Sequence, residues 1–425
     1  MAGDVALLLH RAGFGPTAAE LAFARQAGYD ATLQALTAPV TPDLGASAAP
    51  MPALGSDPLN KYANPTDAQR LTVSAERLKQ TRTITSWWLD RMAVADHQAT
   101  ERLIFFWHGH WATSIDKVIR PQLMQLQHLT LRSTQDFAKL AHKMIRDPAL
   151  IFWLDGQLNT KSAPNENLGR ELMELFTLGI GNYTERDVKE AGRALTGWRI
   201  DFLKATAHLA PQSHDAGSKT ILGVRRNFDA DSLVNFLLSQ KACPRFIATR
   251  LWYRYASSSD PIPAATRDAM IAHFPDSMAM LRALFASEEF AASAGHLVKQ
   301  PVEWLVGAMR QLGLRLTGLD EGTVDLILYG LNRLGQVPFA PPSVGGWPAG
   351  ALWLTAGTAQ LRLATAGRIA GLAAEATIGQ LTPESMATLL SVPTWTNRTF
   401  AGLKHAQDTR QLLTLGLISP EYLVT

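Results

Sequence analysis

The chain has 425 residues, of which 47% are hydrophobic and 18% charged, with a formal charge of +3. It is too apolar for disorder and too long for one small core, and its scattered positive charges argue against tracking a phosphate backbone, so no nucleic-acid partner is expected. The single cysteine, Cys243, excludes an intrachain disulfide and a cysteine metal cluster, and no window approaches the roughly 18 to 20 apolar residues of a membrane span.

The opening stretch "MAGDVALLLHRAGFGPT" carries no basic n-region, twin arginine or cleavage site. The expectation is a cytoplasmic protein as given, or a periplasmic one if an export leader has been removed. In "TAAELAFARQAG", Thr17 and Glu20 form a capping-box pair ahead of an amphipathic run that stops at Gly28. Residues 1–37 therefore read as N-terminal helices. Residues 38–66 are rich in Pro, Ala, Gly and Ser and read as a surface loop or linker.

From 67 to 197 the periodicity is helical almost throughout. Within it, "WHGHWATS" places His108 and His110 one residue apart, between Trp107 and Trp111. On a continuous helix, positions two apart point about 200° away from each other, so both rings could not ligate one ion. If the chain leaves the helix near Gly109, the rings can converge. A metal pair, a single catalytic histidine and a buried hydrogen-bonding histidine all remain open.

In "NENLGRELMELFTLG", about 100° per residue from Glu166 puts Thr177 near 20°, Arg170 near 40°, Glu174 near 80°, Asn167 near 100° and Glu171 near 140°. The leucines, Met173 and Phe176 take the other side. Asn165 is the expected N-cap and Gly179 the C-terminal stop. The polar stripe is either a solvated face laced by i,i+4 ion pairs or one wall of a cleft.

"TERD" at 184–187 is a helix N-cap with acidic first-turn residues. Residues 198–223 alternate around central turn residues and predict a small β ribbon, whose "SHDAGSKT" turn supplies His214 and Asp215. There Asp215 either caps the turn backbone or overhangs the cleft. "GSKT" lacks the upstream glycine spacing of a phosphate loop. Helices resume from about 228 to 335, and Glu303 follows Pro301 at a helix start. "VPFAPPSVGGWPAGALW" is broken by Pro and Gly and cannot be helical; its Trp347 either walls a pocket or plugs the core. A body over 67–355 and a packed helical segment over 356–425 complete the plan. The fold class is mainly α: an irregular multi-helix assembly with one small ribbon and no internal repeat.

Metalloprotease, nucleophile-elbow, dinucleotide-binding and paired E-x-x-H di-iron patterns are all missing. In order along the chain, however, "LLHRAGFGPT", "ERLIFFWHGHWATSIDKV", "DPALIFWLDGQLNTKSAPNENLGRELMELFTLGIGNYTERDVKEAGRALTGW", "HDAGSKTILG", "KQPVEWLVGAMRQLG" and "PPSVGGWPAGALW" resemble a bacterial family catalogued as domain of unknown function eighteen-hundred. The resemblance implies shared structure around these residues rather than a settled activity. It also implies a neighbourhood: members are often encoded beside sulfatase-like or phosphatase-like proteins, and many look exported by the twin-arginine route.

Two functions are therefore expected in competition. One is a metal-dependent enzyme, a hydrolase or an iron-dependent oxidoreductase, with His108, His110, Glu166, Arg170 and Asp215 as catalytic groups. Its divalent ion (iron, zinc, manganese or magnesium) would be held by His108, His110, Glu171, Glu174 and His214, as suits oxygen and imidazole ligands. Trp107, Trp111, Asn165, Asn167 and Trp347 would contact a small-molecule, peptide or carbohydrate substrate. The other is a non-catalytic binding or assembly protein for a sulfatase-like partner or for a carbohydrate or peptide ligand. In that case the same polar groups form an internal network. Convergence on an open hollow separates the first from the second.

Overall fold

The structure is a computed structural model that describes residues 3–425. Helices dominate, as expected. Thr17 and Glu20 cap the helix Ala18–Ala27 reciprocally, and Thr66 and Gln69 do the same for the longest helix, Asp67–Val94. That helix changes character along its length. Its first half is mostly solvated, whereas Ile84, Trp87, Trp88, Leu89 and Met92 near its end are buried in the core.

Residues 38–66 contain a short helix, Leu44–Ser47, and a 3-10 turn, Pro58–Lys61. They lie strapped against the body by side chains reaching their backbone carbonyls. Trp87 Nε1 donates to Ala49 O at 2.9 Å, and Gln125 to Pro52 O at 2.7 Å. Asp57 bridges Arg77 and Arg120 at 2.8 and 3.0 Å. These guanidinium groups and the Leu59 N–H hold its carboxyl below the ordinary range against the opposing effect of burial.

The expected ribbon is two antiparallel hairpins. Trp198–Asp201 pairs with Thr206–Leu209, and Lys219–Ile221 with Val224–Arg226, so the second hairpin runs past residue 223. The "PPSVGGWPAG" loop is irregular up to a 3-10 turn at Gly350–Trp353. It docks backbone-first on the helix Gln98–His110. Gly346 has φ +78°, and a Cβ there would overlap the carbonyl oxygen of Gly109, so both glycines belong to one close approach.

One hydrophobic core runs from Leu7 near the start to Leu423 near the end. Both chain ends are fastened into it. Arg11 donates to the carbonyls of Tyr255, Ala256 and Ser293 at 3.1, 2.8 and 2.9 Å. Val298 and Val424 form an antiparallel bridge, with Lys299 N donating to Leu423 O at 2.8 Å. At the far end the helix Ala356–Leu372 packs against Thr409–Leu417. Among the described residues no helix is long and apolar enough to cross a membrane.

Candidate functional site

The histidine question is answered by helix continuity. Gln98–His110 is unbroken through Gly109, and the Trp111 N–H still bonds to Trp107 O at 2.8 Å. The two rings therefore diverge. His108 Nε2 accepts the N–H of Phe339 at 2.9 Å, packed between Trp88, Phe339 and Trp347. His110 Nε2 donates to the Phe176 carbonyl at 3.1 Å, among Trp107, Trp111 and Phe137, while its Nδ1 has no partner. Burial pulls both imidazoles down to about 3, helped at His110 by the charge of Arg250. Both rings are neutral at ordinary pH.

The glutamate-rich helix starts one residue later than expected: Glu166, without a side-chain cap bond, takes the N-cap place foreseen for Asn165. Asn165 Oδ1 accepts the Asn167 N–H at 2.9 Å, and Asn167 Nδ2 donates to Leu154 O at 3.3 Å. An α-helix covers Asn167–Glu171, and then Leu172–Thr177 winds as a π-helix. A π turn advances less per residue than an α turn, so the α-helical projection fails beyond Glu171. Thr177, projected onto the polar stripe, is instead buried with its hydroxyl on Leu172 O at 2.6 Å.

The stripe's charges are mutually matched. Arg170 donates to Glu166 at 2.7 Å and to both oxygens of Glu185 at 2.8 and 2.7 Å, which raises its pKa. Glu174 accepts the Tyr183 hydroxyl at 2.6 Å, and burial together with that bond raises the phenol's pKa. Glu171 stands apart: it is half-buried, and its pKa is raised by burial and then by neighbouring Glu174.

The turn after the first hairpin is pinned in the same way. Asp215 takes Arg193 Nε and the Gly217 N–H, each at 2.8 Å, and His214 Nδ1 lies 2.9 Å from Thr196 O. Arg193 and the Gly217 N–H lower the Asp215 pKa. Of the sequence-expected ligands, Glu171 and Glu174 are neighbours, while His108, His110 and His214 each have separate partners. Among the described residues, no group of three or more His, Cys, Asp or Glu side chains is arranged to hold a metal ion. Trp107, Trp111 and Trp347 are 1%, 0% and 4% exposed, so they offer no joint outer surface.

An open hollow does exist beside these residues, with Glu174 as the one polar member of the expected set on its wall. It is a cleft of about 610 Å³ between the π-helical segment and the helix Ala242–Tyr255. Leu175, Leu178, Ile180, Phe246 and Ile262 line it, with Lys241, Arg245, Arg250 and Arg267 as its cations. At Thr249 and Arg250 it meets a second hollow of about 510 Å³ under the Trp347 loop, reached also by Tyr253, Arg254 and Ser343.

Arg250 stands where both hollows meet, and it makes no ion pair or hydrogen bond with the described residues. Its buried Nε has no partner, and burial lowers its pKa. Arg254, one turn on, is spent on the carbonyls of Trp347 and Pro348. The signal in the sequence was "RFIATRLWYRY", with arginines at 245, 250 and 254. It passed as an ordinary amphipathic helix because nothing local says which arginine lacks a partner.

Fold and cleft together define a mainly α protein with an open, aliphatic, cation-rimmed hollow. The chain matches the family described as "Protein of unknown function (DUF1800)" over residues 7–424, and it belongs to that family. No curated protein and no solved structure matches it.

Proposed function

We propose that this is a binding protein whose open cleft takes an acidic, aliphatic peptide segment, such as a sulfatase-like protein partner could present. The observation that carries this reading is Arg250, a half-buried cation without a counter-charge at the junction of two hollows. A desolvated guanidinium is costly unless an anion meets it, and its planar fork suits a carboxylate. The aliphatic floor favours a peptide over a carbohydrate, which would call for more hydrogen-bonding groups and flat aromatic surface. The polar groups first expected to be catalytic act in this reading as an internal network that holds the cleft's walls.

The test is fluorescence anisotropy with a labelled peptide of alternating Glu and Leu. Arg250→Ala is expected to weaken binding at least about tenfold, since a charge-assisted bond contributes on the order of 1.5–3 kcal/mol. It should leave the melting temperature unchanged or raised, because an unpaired charge is removed. Equal affinity for wild type and variant would exclude this reading.

A second reading, the metal-dependent hydrolase or iron-dependent oxidoreductase, is favoured by one feature. Glu171, at the end of the α-helical turn, neighbours Glu174 on the π-helical stretch that follows, a geometry frequent at functional sites, and Glu174 faces the cleft. With two carboxylates and water as ligands, a hard ion such as magnesium or manganese fits better than zinc. Adding either ion to chelated protein should then raise the melting temperature, and the rise should vanish in Glu171→Gln. No rise removes the metal.

A further inference from the structure

Beyond the second hollow lies a smaller chamber, walled off by Trp347 and Arg254, which line both spaces. It has room for about 20 Å³, near one water-sized sphere. Its remaining polar walls are Arg102, Tyr255 and Gln300. These residues come from segments far apart in the chain: "ERLIFFWHGHW", "RLWYRY", "KQPVEW" and "GGWP".

The walls are short of acceptors. Tyr255 Oη and Trp347 Nε1 are buried without any hydrogen-bond partner. Arg102 Nη1 is in ion contact with Glu303 Oε1 at 2.5 Å, but off hydrogen-bond angle. The acceptor of Gln300 is already taken by Gln336 Nε2 at 2.6 Å, which leaves its N–H2 as a donor. A water placed here would meet several donors and few acceptors for its own two protons.

The charge is unbalanced in the same sense. Arg11, Arg102, Arg254 and Lys299 all neighbour the carboxylate Glu303, and Arg11 also donates to the oxygen of Thr425. Burial lowers Arg11 to about 9, Arg254 to about 10 and Lys299 to about 7. Arg11 and Arg254 bond backbone carbonyls, and the Lys299 ammonium lies 3.7 Å from the centre of the Tyr422 ring. Carbonyl dipoles and ring faces soften this excess but carry no net negative charge.

We infer that this chamber is a binding site for a monatomic anion, a halide such as chloride, held by Tyr255 Oη, Trp347 Nε1 and the Arg102 guanidinium. The space, near that of one water, suits a single small ion. The bound ion matches the orphaned donors and the excess cations together, and it fastens the Trp347 loop, which forms the roof of the second hollow. The site is separate from the peptide cleft and stands whether or not that cleft binds peptide.

The direct test is diffraction from crystals grown in sodium bromide at the bromine absorption edge. An anomalous peak in contact with Tyr255 Oη and Trp347 Nε1 is expected; an ordered water only, or an empty chamber, would overturn the assignment. In solution, wild-type protein should melt roughly 2–4 °C higher in sodium chloride than in sodium gluconate at equal ionic strength. Trp347→Phe and Tyr255→Phe each keep a ring and remove a donor, and each should lose that difference while keeping the wild-type circular dichroism. If either variant fails to fold, the other carries the comparison. A chloride effect that persists unchanged in the folded variants places the ion elsewhere and defeats the inference.

Discussion

The fate of each charged residue depends on whether a counter-charge lies within reach. Arg170 and Arg250 are both arginines on helices, and only Arg250 lines the cleft. Arg170 is closed by Glu166 and Glu185, while Arg250 has neither. The buried histidines show the same principle through protons. His10, His108 and His110 are each held near 3 against an ordinary 6.5. Between those limits the unfolded chain binds three protons that the native state refuses, so acid destabilises the fold there. Asp147 opposes this: burial raises it to about 7, so between 3.8 and 7 the native state binds a proton that the unfolded chain lacks. His128, lowered well below its ordinary value by burial, adds a fourth refused proton, so four against one leaves about three protons. The urea unfolding free energy is expected to fall by roughly 4 kcal/mol per pH unit between pH 6 and 5. Lys299, lowered to about 7 by burial, adds stability as pH rises from 7 towards 10.5. Stability should therefore be greatest on the mildly alkaline side. A flat profile from pH 5 to 8 would mean that the histidines are not buried neutral.

At the scale of elements, the cleft depends on backbone approaches that only glycine allows. The helix Asn167–Glu171 crosses Glu185–Ala194 at a glycine pair. A Cβ on Gly169 would lie 2.7 Å from Gly192 N, and one on Gly192 2.9 Å from Glu166 Cα. Neither neighbour is a flexible side chain, so the helices would have to part. Gly192→Ala is expected to destabilise the protein by about 1–3 kcal/mol, as overpacking does, whereas Gly402→Ala, with open space around it, should be neutral or mildly stabilising. Equal melting temperatures for the two variants would contradict the crossing. The polar stripe was legible as a stripe, with Gly179 beyond its end, although the cap is Glu166 and not the expected Asn165. Its π turn was not, because the sequence carries no period that distinguishes it from an α-helix over six residues, and Thr177 was misplaced for that reason. The histidine spacing posed a choice that continuity of Gln98–His110 settled.

Across the whole molecule, the cleft is a meeting of strangers. Glu174, Arg250 and the Trp347 loop lie far apart in sequence and come together only because one core gathers the helices that bear them. The same core holds both ends of the chain, through Arg11 near the start and Val424 near the finish. By itself the sequence determined the local matters: helix caps at Thr17 and Thr184, the hairpin region, the irregular loop after Gln336, the family and the mainly α class. These are set by interactions within a few residues, which the order of side chains specifies directly. Only the tertiary structure decided which polar groups are matched and which are left over. His108 is quenched by a backbone N–H 231 positions away, Arg170 by Glu185, and Arg250 by none of the described residues. Partnership across such separations is a property of packing, and no local pattern encodes it.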